Sequence, residues 1–290
     1  MQRQKHTYQA YFFILPLLLF VLVFTLYPAL TTFYYGFTEW NGIGSPEWTG
    51  LRNVEKLFSD GSFHAALKNI AILALYVVPW TVLPLLVAAA IREPSRGVGF
   101  FRSVSLIPFL ISPVILGVLF RALLRTNGPI NSLFEAIGLV PPEWLSSTAW
   151  PIHVVALATL FKFFGFGVLL YIGAMGKISE SLYDSAKVDG CSPLQTLMVV
   201  TVPGIRHTIE FFIVLGFITY FARMFPIIHT MTGGGPGYAS FVPEFGIYFH
   251  AFQNFQLGYS STWAVFVNLL TFMIVAVQIA LMRSEDRGKA

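Results

Sequence analysis

WPIHVVALATLFKFFGFGVLLYIGA (residues 150–174) runs without a spacer into MGKISESLYDSAKVDGCSPLQTLMVVTVPGIRH (residues 175–207). The first stretch carries a single formal charge, Lys162. As a helix rising 1.5 Å per residue it reaches about 37 Å, more than the roughly 30 Å of bilayer hydrocarbon. The second stretch concentrates Lys177, Glu180, Asp184, Lys187, Asp189 and Arg206 in a chain of which only 11% is charged. Its punctuation is that of two short helices joined by a turn. Ser179 or Ser181 can cap the first, and Ser181 with Asp184 has the form of a capping box. Leu182 and Ala186 recur at helical spacing on one face, with Tyr183 beside them. Asp189-Gly190 ends the helix, because glycine takes the positive φ of a tight C-cap without a Cβ clash. Ser192-Pro193-Leu194-Gln195 starts the second helix, with Ser at N-cap, Pro at the first helical position and Gln at N3. Pro203 marks the next boundary. An apolar span followed by a compact polar helix-turn-helix describes a membrane protein with a docking knob on one face.

Five more apolar segments repeat the first half of that pattern. The expected spans are 10–34, 66–91, 103–124, 150–174, 207–231 and 260–282, each long enough to cross. A chain of 290 residues that is 56% hydrophobic, with 29 Phe and a mean hydropathy of +0.69, is not a soluble domain. Runs of this length satisfy their backbone groups in lipid only as helices. The predicted fold is all-α: a polytopic membrane protein with six transmembrane helices, a single domain over 1–290, and the 175–206 loop between spans four and five. Pro79, Pro84, Pro108 and Pro113 fall within spans, where kinks are tolerated.

Lys and Arg set the orientation. With the N-terminus inside, Arg3, Lys5, Arg92, Arg96, Arg102, Lys177, Lys187, Arg206, Arg283, Arg287 and Lys289 collect on one face, against Arg52, Lys56, Lys68, Arg121 and Arg125 on the other. The positive-inside rule then puts both termini and the 175–206 loop in the cytoplasm. The net charge of +4 reflects this asymmetry and gives no argument for nucleic acid. Cys191, the only cysteine, falls on the reducing side and excludes an internal disulfide. The first apolar run is too long for a cleaved signal, and no small-x-small site precedes Pro28, so it is expected to remain as a span.

Asp184-Ser185-Ala186, three residues, Gly190, nine residues, then Val200-Thr201-Val202-Pro203 resembles the EAA loop of ABC-importer permeases. That pattern is Glu-Ala-Ala, three residues, Gly, nine residues, Ile-x-Leu-Pro. The spacing is intact; Asp replaces Glu, Ser replaces the first Ala, and Val replaces both Ile and Leu. Gly50-Leu51-Arg52-Asn53 and Phe63-His64-Ala65-Ala66-Leu67-Lys68-Asn69 resemble the family's run before its second span. Thr232-Gly233-Gly234-Gly235-Pro236, then Ala239-Ser240, resembles the Thr-x-Gly-Gly-Pro-x-x-Ala-Thr segment of the sugar-type members.

The resemblance implies a permease subunit in a bacterial cytoplasmic membrane, passing a sugar or sugar-like solute inward from an extracytoplasmic binding protein. Its other partners would be a second permease and two ATP-hydrolysing subunits. Leu182, Tyr183, Asp184, Ser185, Ala186, Asp189, Gly190 and Pro203 would form the coupling loop in a cleft of an ATP-hydrolysing subunit. ATP and Mg would be held by those subunits, with no cofactor on this chain. Gly234, Gly235 and Pro236 would form a re-entrant turn or a docking surface for the binding protein.

Nothing in the chain suggests catalysis. There is no His-Glu-x-x-His, no phosphate-cradling Gly-x-x-x-x-Gly-Lys-[Ser/Thr] and no acid pair at membrane depth. Intramembrane charge is the better pointer. Lys162 lies too deep to snorkel fully, so it is either a structural lysine bonded to carbonyls or to a neighbouring helix, or a residue lining a translocation path. Arg223, with Tyr220 and Phe225 nearby, can line a sugar path, since aromatic faces stack on C–H surfaces and polar groups meet hydroxyls. The competing expectation is a self-contained secondary transporter or channel. It is opposed by the lack of a mid-span acid for ion coupling.

Overall fold

A computed structural model describes residues 13–92 and 97–287, the side chains of 275 and 278–287 excepted. Arg3, Lys5, Arg96 and Lys289 lie outside the described residues, as do the side chains of Arg283 and Arg287. The helices, in chain order, are α1 (Phe13–Tyr35), α2 (Arg52–Ser59), α3 (Gly61–Ala90), α4 (Val98–Leu110), α5 (Pro113–Leu124), α6 (Pro129–Ala136), α7 (Pro151–Met175), α8 (Glu180–Val188), α9 (Pro193–Gly204), α10 (Arg206–Ala222), α11 (Phe225–Met231), α12 (Pro243–Tyr248) and α13 (Leu257–Arg287). Two short strands, β1 (Thr38–Glu39) and β2 (Glu47–Trp48), pair antiparallel with Thr38 opposite Trp48. Helices α1, α3, α7 and the Leu257–Ile274 part of α13 are each long and apolar enough to cross a membrane alone. Two bent pairs bring the number to six if each is one span: α4 with Pro113–Ala136, at 98°, and α9 with α10, at 82°. The fold is all-α and polytopic.

Two of the expected spans differ from the observed helices, and proline explains both. The third was expected over 103–124 with Pro108 and Pro113 inside it, but α4 stops at Leu110, and Ile111 and Ser112 are extended. Pro113 has no N–H for the Phe109 carbonyl, and its ring would press on that carbonyl in a continuous helix. The fifth was expected over 207–231, but α10 ends at Ala222 and Arg223 takes a non-helical conformation. Pro226 stands in the same relation to the Ala222 carbonyl, and it opens α11 instead.

The described residues gather into two compact units. One contains the chain up to Phe63 together with Gly246–Leu269. In it α1 is apolar and exposed along its length, a surface suited to hydrocarbon. Asn53 Nδ2 donates to the carbonyls of Gly36 (3.1 Å) and Thr38 (2.8 Å), fixing the turn into the hairpin. Thr262 Oγ1 donates to the same Gly36 carbonyl at 2.8 Å. Asp60 accepts from Ser62 N–H (2.8 Å), Ser62 O–H (2.7 Å) and Tyr259 O–H (2.7 Å). Burial works to raise the Asp60 carboxyl, but these donors outweigh it and hold it below its ordinary value. His250 Nε2 lies 3.9 Å from Asp60. Burial nonetheless pushes the imidazole down to about 4, so at neutral pH the contact is not an ion pair.

The other unit contains His64–Phe245 and the chain from Leu270 onward. Lipid provides no hydrophobic drive between helices, so close packing and interhelical hydrogen bonds must hold them. Trp80 of α3 is 1% exposed. Its indole N–H donates to the Phe212 carbonyl of α10 at 3.1 Å. The ring packs where a Cβ on Gly216 would stand 2.9 Å away. On α7, a Cβ at Gly165 would stand 1.8 Å from the Ser105 carbonyl, so only glycine permits that approach of α4.

Candidate functional site

The polar loop after α7 has the two-limbed form its sequence predicts. Helix α8 carries Glu180 in its first turn and Lys187 in its last, both favourable to the helix dipole. Ser179 is its N-cap, without a capping side-chain bond, so the Ser181–Asp184 box does not form. Tyr183 and Ala186 face inward, 4% and 7% exposed, whereas Leu182 is exposed with Asp184 and Ser185. The inner stripe is therefore Tyr183 and Ala186, not Leu182 and Ala186. Asp189 is the C-cap, and Gly190 follows at φ +75°. Gly190 N–H donates to the Lys187 carbonyl (3.1 Å) and Cys191 N–H to the Ala186 carbonyl (2.9 Å), the paired bonds of a Schellman end.

The second limb opens with the expected box. Gln195 N–H donates to Ser192 Oγ (3.3 Å), and Ser192 N–H donates to Gln195 Oε1 (2.7 Å). Leu197–Thr201 then widens into a π turn, which accommodates the missing N–H of Pro203. The boundary itself falls at Ile205, two residues beyond Pro203. The Tyr183 and Thr201 hydroxyls meet at 3.2 Å and join the limbs.

Lys162 is buried on α7 and points at the break in the third span. Its ammonium donates to the Phe109 carbonyl at 2.7 Å and to the Ile111 carbonyl. Pro113 denies the Phe109 carbonyl its helical donor, and Lys162 supplies another. These are the carbonyl bonds that the first of the two expectations for this lysine calls for. Tyr220 is also internal, donating its hydroxyl to the Ala156 carbonyl at 3.1 Å. Arg223 is exposed at the stop of α10, rather than inside a span helix. Phe225 is half-buried, its ring stacked on His229 at 5.3 Å. The four proposed path residues thus answer to different partners.

Glu244 was missed from the sequence. Its Oε2 accepts the N–H groups of Met224 (2.6 Å) and Phe225 (2.9 Å), closing the break in front of α11. Burial raises its carboxyl above the ordinary value, against the pull of those donors and of Arg223. Pro226 was the available signal, since a proline that opens a helix leaves free N–H groups before it. The glycine-rich turn 232–237 is fixed by the residues that follow it and by α3. Ser240 O–H donates to Thr232 Oγ1 (2.7 Å), and Asn69 Nδ2 donates to the Tyr238 (2.9 Å) and Phe241 (2.8 Å) carbonyls. Gly234, at φ +80°, is packed so that a Cβ would meet Phe245 at 2.7 Å. Gly235 and Pro236 are half-buried beside it.

No family model matches the chain. It is 30% identical over 282 residues to the probable ABC transporter permease protein YurN of Bacillus subtilis, covering 94% of this chain and 96% of that one. The chain is an ABC-transporter permease. A second relative of this permease, the diacetylchitobiose uptake system permease protein NgcF of Streptomyces coelicolor, is 29% identical over 310 residues, covering 99% and 87% of the two chains. A chain of a bacterial alginate ABC transporter, crystallised in complex with an alginate pentasaccharide-bound periplasmic protein, has the same fold. The TM-score is 0.85 at 23% identity, over 98% of this permease and 96% of that chain. As a permease, the chain is a transport subunit and a multi-pass membrane protein.

Proposed function

We propose that this permease is the membrane subunit of an ATP-driven importer of a sugar or sugar-like solute. Its residues 1–290 form one transmembrane permease domain in a bacterial cytoplasmic membrane, with both termini and the α8–α9 loop in the cytoplasm. The observation that carries the proposal is the two-limbed knob, joined by the Tyr183–Thr201 hydroxyl contact, with the spacing of the EAA loop. Its outward face combines acidic Asp184 and Asp189 with apolar Leu182 (53% exposed), Val188 (88%) and Leu194 (60%). Such a face suits a partner's cleft better than water. Two ATP-hydrolysing subunits, which hold ATP and Mg, press on this knob and on its counterpart in a second permease. Their differential binding to the two states supplies the bias between inward- and outward-facing forms.

Solute comes from an extracytoplasmic binding protein, which docks at the Gly234–Pro236 turn. The saccharides named with the chitobiose system and the alginate transporter support a carbohydrate cargo. Arg223 and Phe225 stand at the α10–α11 break, where a guanidinium and an aromatic face can meet hydroxyls and C–H surfaces. Lys162 and Tyr220 shape the path from behind by fixing the backbone. A self-contained secondary transporter would need a mid-span acid available for ion coupling, whereas Glu210 is paired with Arg206 and Glu244 is taken up by the Met224 and Phe225 N–H groups.

The test is co-purification and uptake. The tagged permease brings an ATPase with it. Asp184→Arg, on the exposed face of α8, lowers uptake at least tenfold while the amount in the membrane is unchanged. Uptake by the isolated chain, or wild-type uptake in Asp184→Arg, refutes the proposal.

A further inference from the structure

We propose that Arg92 is a positioning residue for coupling, strapping the end of α3 to the loop so that a displacement of α8 is carried into the second span. The inference rests on the importer function proposed above. The Arg92 guanidinium lies over the Tyr183 ring, 3.5 Å from its centroid. Its two terminal nitrogens donate to the Glu180 carboxylate at 3.4 and 3.1 Å. Arg92 is 16% exposed and Glu180 75%, so the ion pair alone is weak. The stack on a buried ring is the stronger half. Through the Tyr183 hydroxyl the strap continues to Thr201, and so reaches both limbs.

Beside this contact the described residues leave a gap. A cavity of about 230 Å³ lies alongside the strap, lined by Ala89, Arg92, Tyr183, Lys187, Cys191 and Thr201. A push on α8 can therefore reach the end of α3 through Arg92 rather than through a filled core. At that same end Arg102 of α4 donates to the Ile91 carbonyl at 3.3 Å. Further along, Trp80 ties α3 to α10. A coupling loop, α8–α9, joined covalently to α7 and α10 thereby gains a third lever arm.

The competing role for Arg92 is a topogenic positive charge, and lysine separates the two. Arg92→Lys keeps the charge but loses the planar fork that stacks and pairs at once. The measurement is amide hydrogen exchange on the complete complex, with its ATPase, in lipid nanodiscs, comparing the nucleotide-free and ATP–vanadate states. In the wild type both α8 and the last turn of α3 change protection. In Arg92→Lys the α8 change persists, and the α3 change falls about fivefold, the factor for a loss of roughly 1 kcal/mol. Tyr183→Leu, which removes the ring, gives the same pattern, and Tyr183→Phe, which keeps it, does not. An undiminished α3 response in both Arg92→Lys and Tyr183→Leu overturns the strap. No α8 response in the wild-type complex overturns the importer proposal instead.

Discussion

The α8–α9 loop and the breaks in the third and fifth spans are built by opposite means. In the loop, the backbone groups at the turn between α8 and α9 are taken up within a few residues: Gly190 and Cys191 by the end of α8, Ser192 by Gln195. At the breaks, proline releases groups that only distant residues satisfy. Lys162 serves carbonyls more than fifty residues back, and Glu244 serves amides about twenty residues back. The loop is a local construction that a partner can push as a unit. The breaks are tertiary constructions, stable only while their helices stay assembled.

The sharpest way to break this comparison is Lys162→Met. It fills similar volume and leaves two part-buried carbonyls without their Lys162 donor, at about 1–3 kcal/mol each, partly offset by removing a buried charge. The melting temperature in nanodiscs falls by roughly 5–10 °C. An unchanged value would mean that the break needs no remote donor.

A second, smaller effect tests another remote contact, between His250 and the Asp60–Tyr259 pair. The folded imidazole titrates near 4, below its ordinary 6.5, so the unfolded chain binds the proton more readily. Stability is complete above about pH 6.5 and declines as pH falls toward 4. Asp60, held low, stays ionised over most of that window, and its own loss on further acidification has the same sign. Melting curves between pH 7 and 4.5 show this decline, and His250→Phe flattens it.

The smallest effect sharpens the local side. Ser192→Ala removes one half of the capping box, worth about 1 kcal/mol. The amides of the first turn of α9 exchange about fivefold faster, while global melting moves little. A global loss as large as that of Lys162→Met would erase the distinction.

The same division explains how much was legible beforehand. The turn at Asp189-Gly190 and the Ser192–Gln195 box are local signals, and each stands where capping chemistry puts it; the apolar runs are local signals too, but those of the third and fifth spans are interrupted at proline. Lys162 was legible as a charge too deep to reach water, which narrowed its role to two. Its partner was not, because nothing in sequence ties residue 162 to residue 109. Pro113 and Pro226 were visible, but whether a membrane proline kinks a helix or stops it depends on a remote donor. In the sequence, Arg92 is one more positive charge at a membrane face. Its stack on Tyr183 depends on how α3 meets α8, and no local pattern encodes that.

An ammonium anchored to backbone in the interior of a spanning bundle is also an electrical probe. One elementary charge moved through the whole membrane potential changes energy by about 2.3 kcal/mol per 100 mV. Should the kink that Lys162 grips travel along the bilayer normal during a cycle, turnover inherits a voltage dependence that its apolar surroundings cannot produce. Should that kink be the pivot, the charge stands still and turnover ignores the field.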